Sequence, residues 1–246
     1  MLRLDRWLVT LGVGSRSELQ KMIRKGGVKV NGTPVTDPGK QVDERTAELT
    51  VMGQPLDGRL TRHVMLHKPA GLLTAARDKK QPTVMDLLPE VYAAIGCMPV
   101  GRLDKDTTGL LLLTTDGELN HRLLAPGRHV DKTYRAVVDG ELNAAHVAAF
   151  AAGLHLPEED GSPAFDAQSA LLEIEAPNVG RVTVHEGKFH QVKRMFAAVG
   201  CPVTALHRLS FGSLTLDDAL PEGQWRELTE EELSALYADA QMEASK

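Results

Sequence analysis

Gly101-Arg102-Leu103-Asp104-Lys105-Asp106-Thr107-Thr108-Gly109-Leu110-Leu111-Leu112-Leu113-Thr114-Thr115-Asp116-Gly117 sets a charged, hydroxyl-rich loop directly before a short apolar run. Four leucines closed by Asp116-Gly117 are too short for a globular helix, so Leu110 to Leu113 reads as a buried strand. A loop feeding such a strand is a rigid mount for reactive groups. On pattern alone, however, Asp104 and Asp106 read first as turn or cap residues balanced by Arg102 and Lys105.

Around this stretch, short strands and helices alternate irregularly. Val64–Leu66 and Leu72–Thr74 flank a turn at His67-Lys68-Pro69-Ala70-Gly71, and Thr83 can cap a short helix that Pro89 ends. A helix is expected over 118–124, a strand over 132–138 and an alanine-rich helix from Asn143 to Gly153. Pro157 to Pro163, with Glu158-Glu159-Asp160, reads as an exposed acidic loop. Strands are expected at 168–175 and 181–185. Val192, Met195, Phe196 and Val199 have helical spacing, a strand pair is expected near 204–216, and Thr229-Glu230-Glu231-Glu232 is a capping box for a last helix. This pattern predicts an α+β fold with a mixed, largely antiparallel sheet flanked by helices.

The front of the chain is a separate unit. Ser15-Arg16-Ser17-Glu18 fits a capping box, with Leu19, Met22 and Ile23 at helical spacing behind it. Asn31-Gly32 between alternating arms signals a hairpin. Residues 1–30 carry seven cations (Arg3, Arg6, Arg16, Lys21, Arg24, Lys25, Lys29) against Asp5 and Glu18, a net of +5. The rest of the chain has 21 cations and 31 carboxylates, so the overall −5 conceals a basic front and an acidic remainder. Such a split points to a polyanion-binding surface, although a solvated helix face is the commoner fate of helix charges. Residues 53–61 have linker composition, dividing the chain into domains 1–58 and 59–246 with a mobile joint.

Composition bounds the remainder. With 42% hydrophobic and 25% charged residues the chain has an ordinary globular balance. No run reaches the roughly 18 apolar residues of a membrane span, and the charged N-terminus is unlike a signal peptide, so a cytoplasmic protein is expected. Cys97 and Cys201 have no metal-type spacing, nor do the nine histidines.

Leu4-Asp5-Arg6-Trp7-Leu8, Ser15-Arg16-Ser17 and Val28-Lys29-Val30-Asn31-Gly32 resemble the small RNA-binding module first known from a ribosomal small-subunit protein, the alpha-L motif. The resemblance implies RNA contact by Arg3, Arg6, Arg16, Lys21, Arg24, Lys25 and Lys29, mainly at phosphates. Gly101-Arg102-Leu103-Asp104 with Thr107-x-Gly109-Leu110, His67-Lys68-Pro69-x-Gly71, Lys132-Thr133-Tyr134 and Gly187-Lys188-Phe189-His190-Gln191-Val192-Lys193-Arg194-Met195 resemble RNA pseudouridine synthases of the RsuA/RluA superfamily, nearest its 16S small-subunit branch.

That resemblance implies isomerisation of a flipped-out uridine. The bond from N1 to C1′ breaks, the base turns, and C5 joins C1′. Asp104 is implied as the essential carboxylate, attacking C1′, assisting formation of a glycal, or stabilising positive charge at the sugar. Lys188 is implied as its cation and Tyr134 as the stacking face for uracil. Arg102, Lys193 and Arg194, with Arg208, are expected at RNA phosphates, and Arg102 alternatively pairs with Asp106. Asp106, Thr107 and Thr108 are expected to hold the loop, and Leu209 reads as core or pocket wall. Neither metal nor cofactor is implied. The implied partner is 16S ribosomal RNA, free or in a partly assembled particle, met by a monomer. The alternatives are the same chemistry on large-subunit or transfer RNA, and a non-catalytic RNA-binding assembly factor.

Overall fold

The computed structural model describes residues 1–159 and 161–242. Its front unit packs helices Leu4–Thr10 and Arg16–Arg24 on a four-stranded antiparallel sheet. The sheet runs Thr33–Val35, Val28–Val30, Leu49–Val51, Gln54–Leu56. Ser15 and Glu18 cap the second helix reciprocally, as the capping box predicts. Asn31 and Gly32 both have positive φ, 51° and 75°, which a two-residue hairpin turn requires. Leu4, Trp7, Leu8, Leu19 and Ile23 are fully buried, each contributing roughly 1.5–3 kcal/mol. The first helix is not among the expected elements, although Leu4, Trp7, Leu8 and Leu11 have its spacing.

The linker expectation for 53–61 needs correction. Gln54–Leu56 is the last strand of the front sheet, reached by a turn at Met52 and Gly53. The segment beyond this strand is fastened at several points. Trp7 Nε1 donates to Gly58 O at 2.9 Å. Arg59 and Arg62 both reach Glu227, at 2.9 and 2.6 Å, and Arg62 also pairs with Asp57. Val91 and Ile95 of the large domain pack against the front core. Glu227→Ala removes the carboxylate shared by both arginines and leaves the nearly buried Arg62 half-paired. A loss of about 2 kcal/mol is expected in a urea melt, with faster tryptic cleavage at Arg59. An unchanged cleavage rate would mean Glu227 fastens nothing.

A nine-stranded sheet forms the large domain. Its main path is Leu171–Ala176, Val179–Val184, Lys132–Val138, Val203–Phe211, Thr108–Thr114, His63–Lys68, Trp225–Glu227, with two short strands at its margins. One pairing is parallel, that of Val203–Phe211 with Thr108–Thr114, and the others are antiparallel. The fold is α+β. Thr108–Thr114 lies inside the sheet, and all four leucines are fully buried. Leu110 and Leu112 face the core containing Met65, Leu119 and Phe211, while Leu111 and Leu113 face the core containing Val64, Leu66 and Tyr92. Coverage of both faces explains why the run is apolar without alternation.

The parallel junction is tight. It rests on His207 opposite Thr108 and Arg208 opposite Gly109. Gly109 has φ +103°, and a Cβ there would lie 2.3 Å from Arg208 O. Only glycine fits that approach. The expected strand at Leu72–Thr74 is a single bridge from Leu73 to Thr83, and the helix after Thr83 is a short 3-10 turn, Val84–Leu87. Glu158 and Glu159 are exposed as expected of an acidic loop, while Asp160 lies outside the described residues. Among the described residues, no helix is long and apolar enough to cross a membrane.

Candidate active site

Asp104 stands at the mouth of the parallel junction because its loop is fixed from below. Leu103 inserts into the core beside Leu111 and Leu113. Thr74 Oγ1 donates to Leu103 O at 2.8 Å and accepts from Leu103 N at 3.2 Å. Lys68, fully buried, donates to the carbonyls of Pro69, Lys105 and Thr107 at 3.0, 3.2 and 2.9 Å. Gly71 N adds a bond to Lys105 O at 2.7 Å. The His67-Lys68-Pro69-x-Gly71 motif is therefore the back support of the Asp104 loop. Burial pulls the Lys68 ammonium down to about 8, against the pull of Asp106 and Asp104.

The cation beside Asp104 is Lys193, a correction to the expectation for Lys188. Lys193 Nζ lies 3.0 Å from Asp104 and 2.6 Å from Asp106, bridging the two carboxylates. Burial alone would lower the Lys193 pKa, but the bonds to Asp106 and Asp104 outweigh it and raise it. The hydrogen bond from Lys193 holds the Asp106 carboxyl below its ordinary range. Lys188 instead pairs with Glu186 at 3.1 Å and lies over the Phe165 ring at 4.2 Å. The reason is local. His190 adopts the left-handed conformation (φ 48°, ψ 25°) just before the Gln191–Ala198 helix. Lys188 is left on the approach, and Lys193 projects from the first helical turn. The apolar spacing of Val192, Met195 and Phe196 could have placed Lys193 on a fixed flank, whereas a cation in a loop has no such anchor.

Other residues of the pocket come from across the parallel seam. Tyr134, on the Lys132–Val138 strand, lines it with Asp104, Arg102, Lys188, Val184 and Leu206. Leu206, rather than Leu209, is the apolar wall. His190 Nε2 is 3.5 Å from Asp104, and its ring stacks on half-exposed Phe189 at 3.7 Å. Gln191 accepts from Lys188 N and donates to Glu186, so it orders the backbone ahead of the helix. Arg102 is exposed at the rim, and its alternative partner Asp106 is held by Lys193.

Two expected phosphate contacts are not available. Arg194 is buried, donating to Pro157 O and Pro163 O and packing over Phe165, so it ties the acidic loop to the helix. Arg208 is buried as well, with Nε donating to Leu110 O at 2.7 Å. Both sit on elements whose apolar neighbours are in the core, a context that the residue type conceals.

In the front unit, Arg3, Arg6, Arg16, Lys21, Arg24 and Lys29 are exposed, and Lys25 stands at the end of the second helix. Asp5 is fully buried among them and accepts from Arg3 Nε, Arg3 Nη2, Gln20 Nε2 and the Arg6 amide, with Arg16 3.5 Å away. The hydrogen bond from Arg3 holds the Asp5 carboxyl far below its ordinary range against the opposing effect of burial. Arg3, Arg6 and Arg16 surround one shallow depression with Val9. The two carboxylates counted against the front charge are thus a buried organiser and a helix cap, and the exposed helix face is basic.

Comparison with known proteins places this geometry. Residues 62–198, which hold nearly the whole pocket, match the RNA pseudouridylate synthase family, and residues 2–46 match the S4 domain. The chain belongs to the RNA pseudouridylate synthase family and is an RNA-modifying isomerase with an S4 front. It is 43% identical over 239 residues to an uncharacterised RNA pseudouridine synthase of Bacillus subtilis, covering 96% of this chain and 98% of the relative. It is 41% identical over 246 residues to ribosomal small subunit pseudouridine synthase A of Pseudomonas aeruginosa, covering 96% and 100%. A crystal structure of a pseudouridylate synthase aligns with TM-score 0.67 at 36% identity, covering 96% of this chain and all of that one.

Proposed function

We propose that this chain converts a uridine of 16S ribosomal RNA to pseudouridine, with Asp104 as the essential carboxylate. The observation that carries the reading is the pairing of Asp104 with Lys193 at 3.0 Å in a pocket that also presents Tyr134. Breaking N1–C1′ makes the sugar carbon electron-poor, and a carboxylate at C1′ meets that demand as nucleophile, base toward the 2′ proton, or counter-charge. Lys193 takes the role expected of Lys188, and Lys188, with Arg102, serves RNA at the rim. Tyr134 gives the flipped uracil a stacking face, worth about 1–3 kcal/mol. Extruding the base costs a few kcal/mol and less in irregular RNA, which favours folded ribosomal RNA or an assembly intermediate as substrate.

Domain 1–58 holds the RNA through its basic face, and domain 59–246 performs the isomerisation as a monomer in the cytoplasm. The small-subunit target draws on the relative from Pseudomonas aeruginosa, whose name assigns it to the ribosomal small subunit. Mapping pseudouridine in every stable RNA of a strain lacking the gene tests the target. Loss of a single modified site in 16S ribosomal RNA is expected. A loss confined to large-subunit or transfer RNA would refute the proposed target while leaving the chemistry intact.

The front surface makes its own prediction. Replacing Arg16, Lys21 and Arg24 by serine leaves up to three phosphates without a protein cation. The slope of log affinity against log salt should then flatten by about 0.7–0.9 for each such phosphate. Binding measured by fluorescence anisotropy from low to moderate salt reports it. An unaltered slope would make these cations a solvated face.

A further inference from the structure

Thr107 is the residue of the Asp104 loop whose side chain remains unexplained. Its backbone is committed, with N donating to Asp104 O at 3.1 Å and O accepting from Lys68 at 2.9 Å. The residue is 1% exposed, and its Oγ1 has no hydrogen-bond partner among the described residues. Neighbouring hydroxyls are all engaged: Thr74 with Leu103, Thr108 with His207, Thr133 with Thr183. Thr107 thus holds the loop through its main chain, and its side-chain hydroxyl takes no part in that. Leaving a buried hydroxyl unpaired costs about 1–3 kcal/mol, and valine would fill the same space without that penalty.

Location gives the hydroxyl a use. Thr107 lines the same pocket as Asp104, Tyr134 and Leu206. Asp104 and Lys193 are matched to each other, and Val184 and Leu206 offer only apolar surface. An uncharged group able to donate and accept is what a uridine needs beside such walls, because its carbonyl oxygens, N3–H and ribose hydroxyls are all uncharged.

We propose that Thr107 Oγ1 is a substrate-positioning group that hydrogen-bonds the flipped uridine beside Asp104. The assignment rests on the reading of this pocket as the uridine site. Because the loop main chain fixes Thr107 three residues from Asp104, one hydrogen bond there sets the nucleotide's height relative to the carboxylate. A small misplacement of reacting atoms is costly in rate. A hydroxyl unsatisfied in the free enzyme and satisfied in the complex contributes selectively to the bound state, the same logic by which polar sites reject ligands lacking the partner group.

The test compares Thr107→Val, Thr107→Ser and Asp104→Asn. The substrate is total RNA from a strain lacking the gene, grown on 5-tritiated uridine and supplied both as free RNA and as ribosomal particles. Tritium release and thermal melting are read together. Thr107→Val is expected to lower kcat/KM about tenfold while melting at or above the wild-type temperature, and Thr107→Ser to stay within about threefold of wild type. A Val variant that melts lower in step with its lost activity would show a structural hydroxyl and overturn the proposal. Normal turnover by Thr107→Val, with Asp104→Asn silent, would overturn the Thr107 assignment alone. Normal turnover by Asp104→Asn would show that the pocket is not the uridine site, and both readings would fall.

Discussion

Asp104→Asn is expected to lower tritium release from 5-tritiated uridine in RNA by about four orders of magnitude, leaving RNA affinity and melting temperature near wild type. The size reflects the proposed role of Asp104, in which its ionised carboxylate meets the electron-poor sugar carbon as the N1 bond breaks, as nucleophile, base or counter-charge. An amide of the same shape supplies neither a nucleophilic oxygen nor a counter-charge. The surroundings should survive the change. Lys193 remains bound to Asp106 at 2.6 Å, so no cation is stranded. Leu103 and Thr74 continue to fix the loop on its buried side. Asp104 is itself 28% exposed, so its replacement costs little packing. A variant that retains a tenth of the wild-type rate would remove Asp104 from the chemistry, whatever its position.

Lys68→Met should produce the largest loss of stability, about 3 kcal/mol in a urea melt, with at least a tenfold fall in turnover under conditions where the variant is folded. Methionine fills similar volume but offers no donor to the carbonyls of Pro69, Lys105 and Thr107. Two of those carbonyls flank Asp106 in the loop, so its height above the sheet is set by this ammonium. Equal stability would mean that the carbonyls find other donors. The pH dependence has a definite sign. Burial lowers the folded-state pKa of Lys68 from 10.5 to about 8, so between those values the unfolded chain holds a proton the folded one has released. Stability from this group therefore rises with pH through that window, and the wild-type margin over Lys68→Met should widen between pH 8 and pH 10.

Much of the fold is readable from the chain. The continuous apolar run of Leu110 to Leu113, the capping boxes at Ser15 and Thr229, and Asn31-Gly32 act through local physics, and each has the structure that its residues dictate. The site is legible in which motifs meet, but not in which side chain of a motif faces another. Lys188 and Lys193 lie five residues apart with equal charge, and the left-handed turn at His190 decides between them. Arg194 and Arg208 have the composition of phosphate contacts and the burial of core residues, a difference that only tertiary packing makes. Lys68 and Asp5 escape notice for the opposite reason: charged residues are seldom fully buried, so a sequence offers no cue that either is an internal fastening.

The single parallel seam has a consequence for the life of the chain. Asp104 belongs to the sheet half on one side of it, Tyr134 to the half on the other, and Lys193 to the helix packed against that second half. Neither half owns a working set of groups. On the proposed assignment, a chain that has formed only one of them holds a carboxylate without its ammonium, or an aromatic face with no carboxylate beside it, and would not isomerise the RNA that its front unit binds. On that assignment competence certifies that both halves have joined: the register that unites them, at Thr108 and Gly109, is also the one that brings the three groups together.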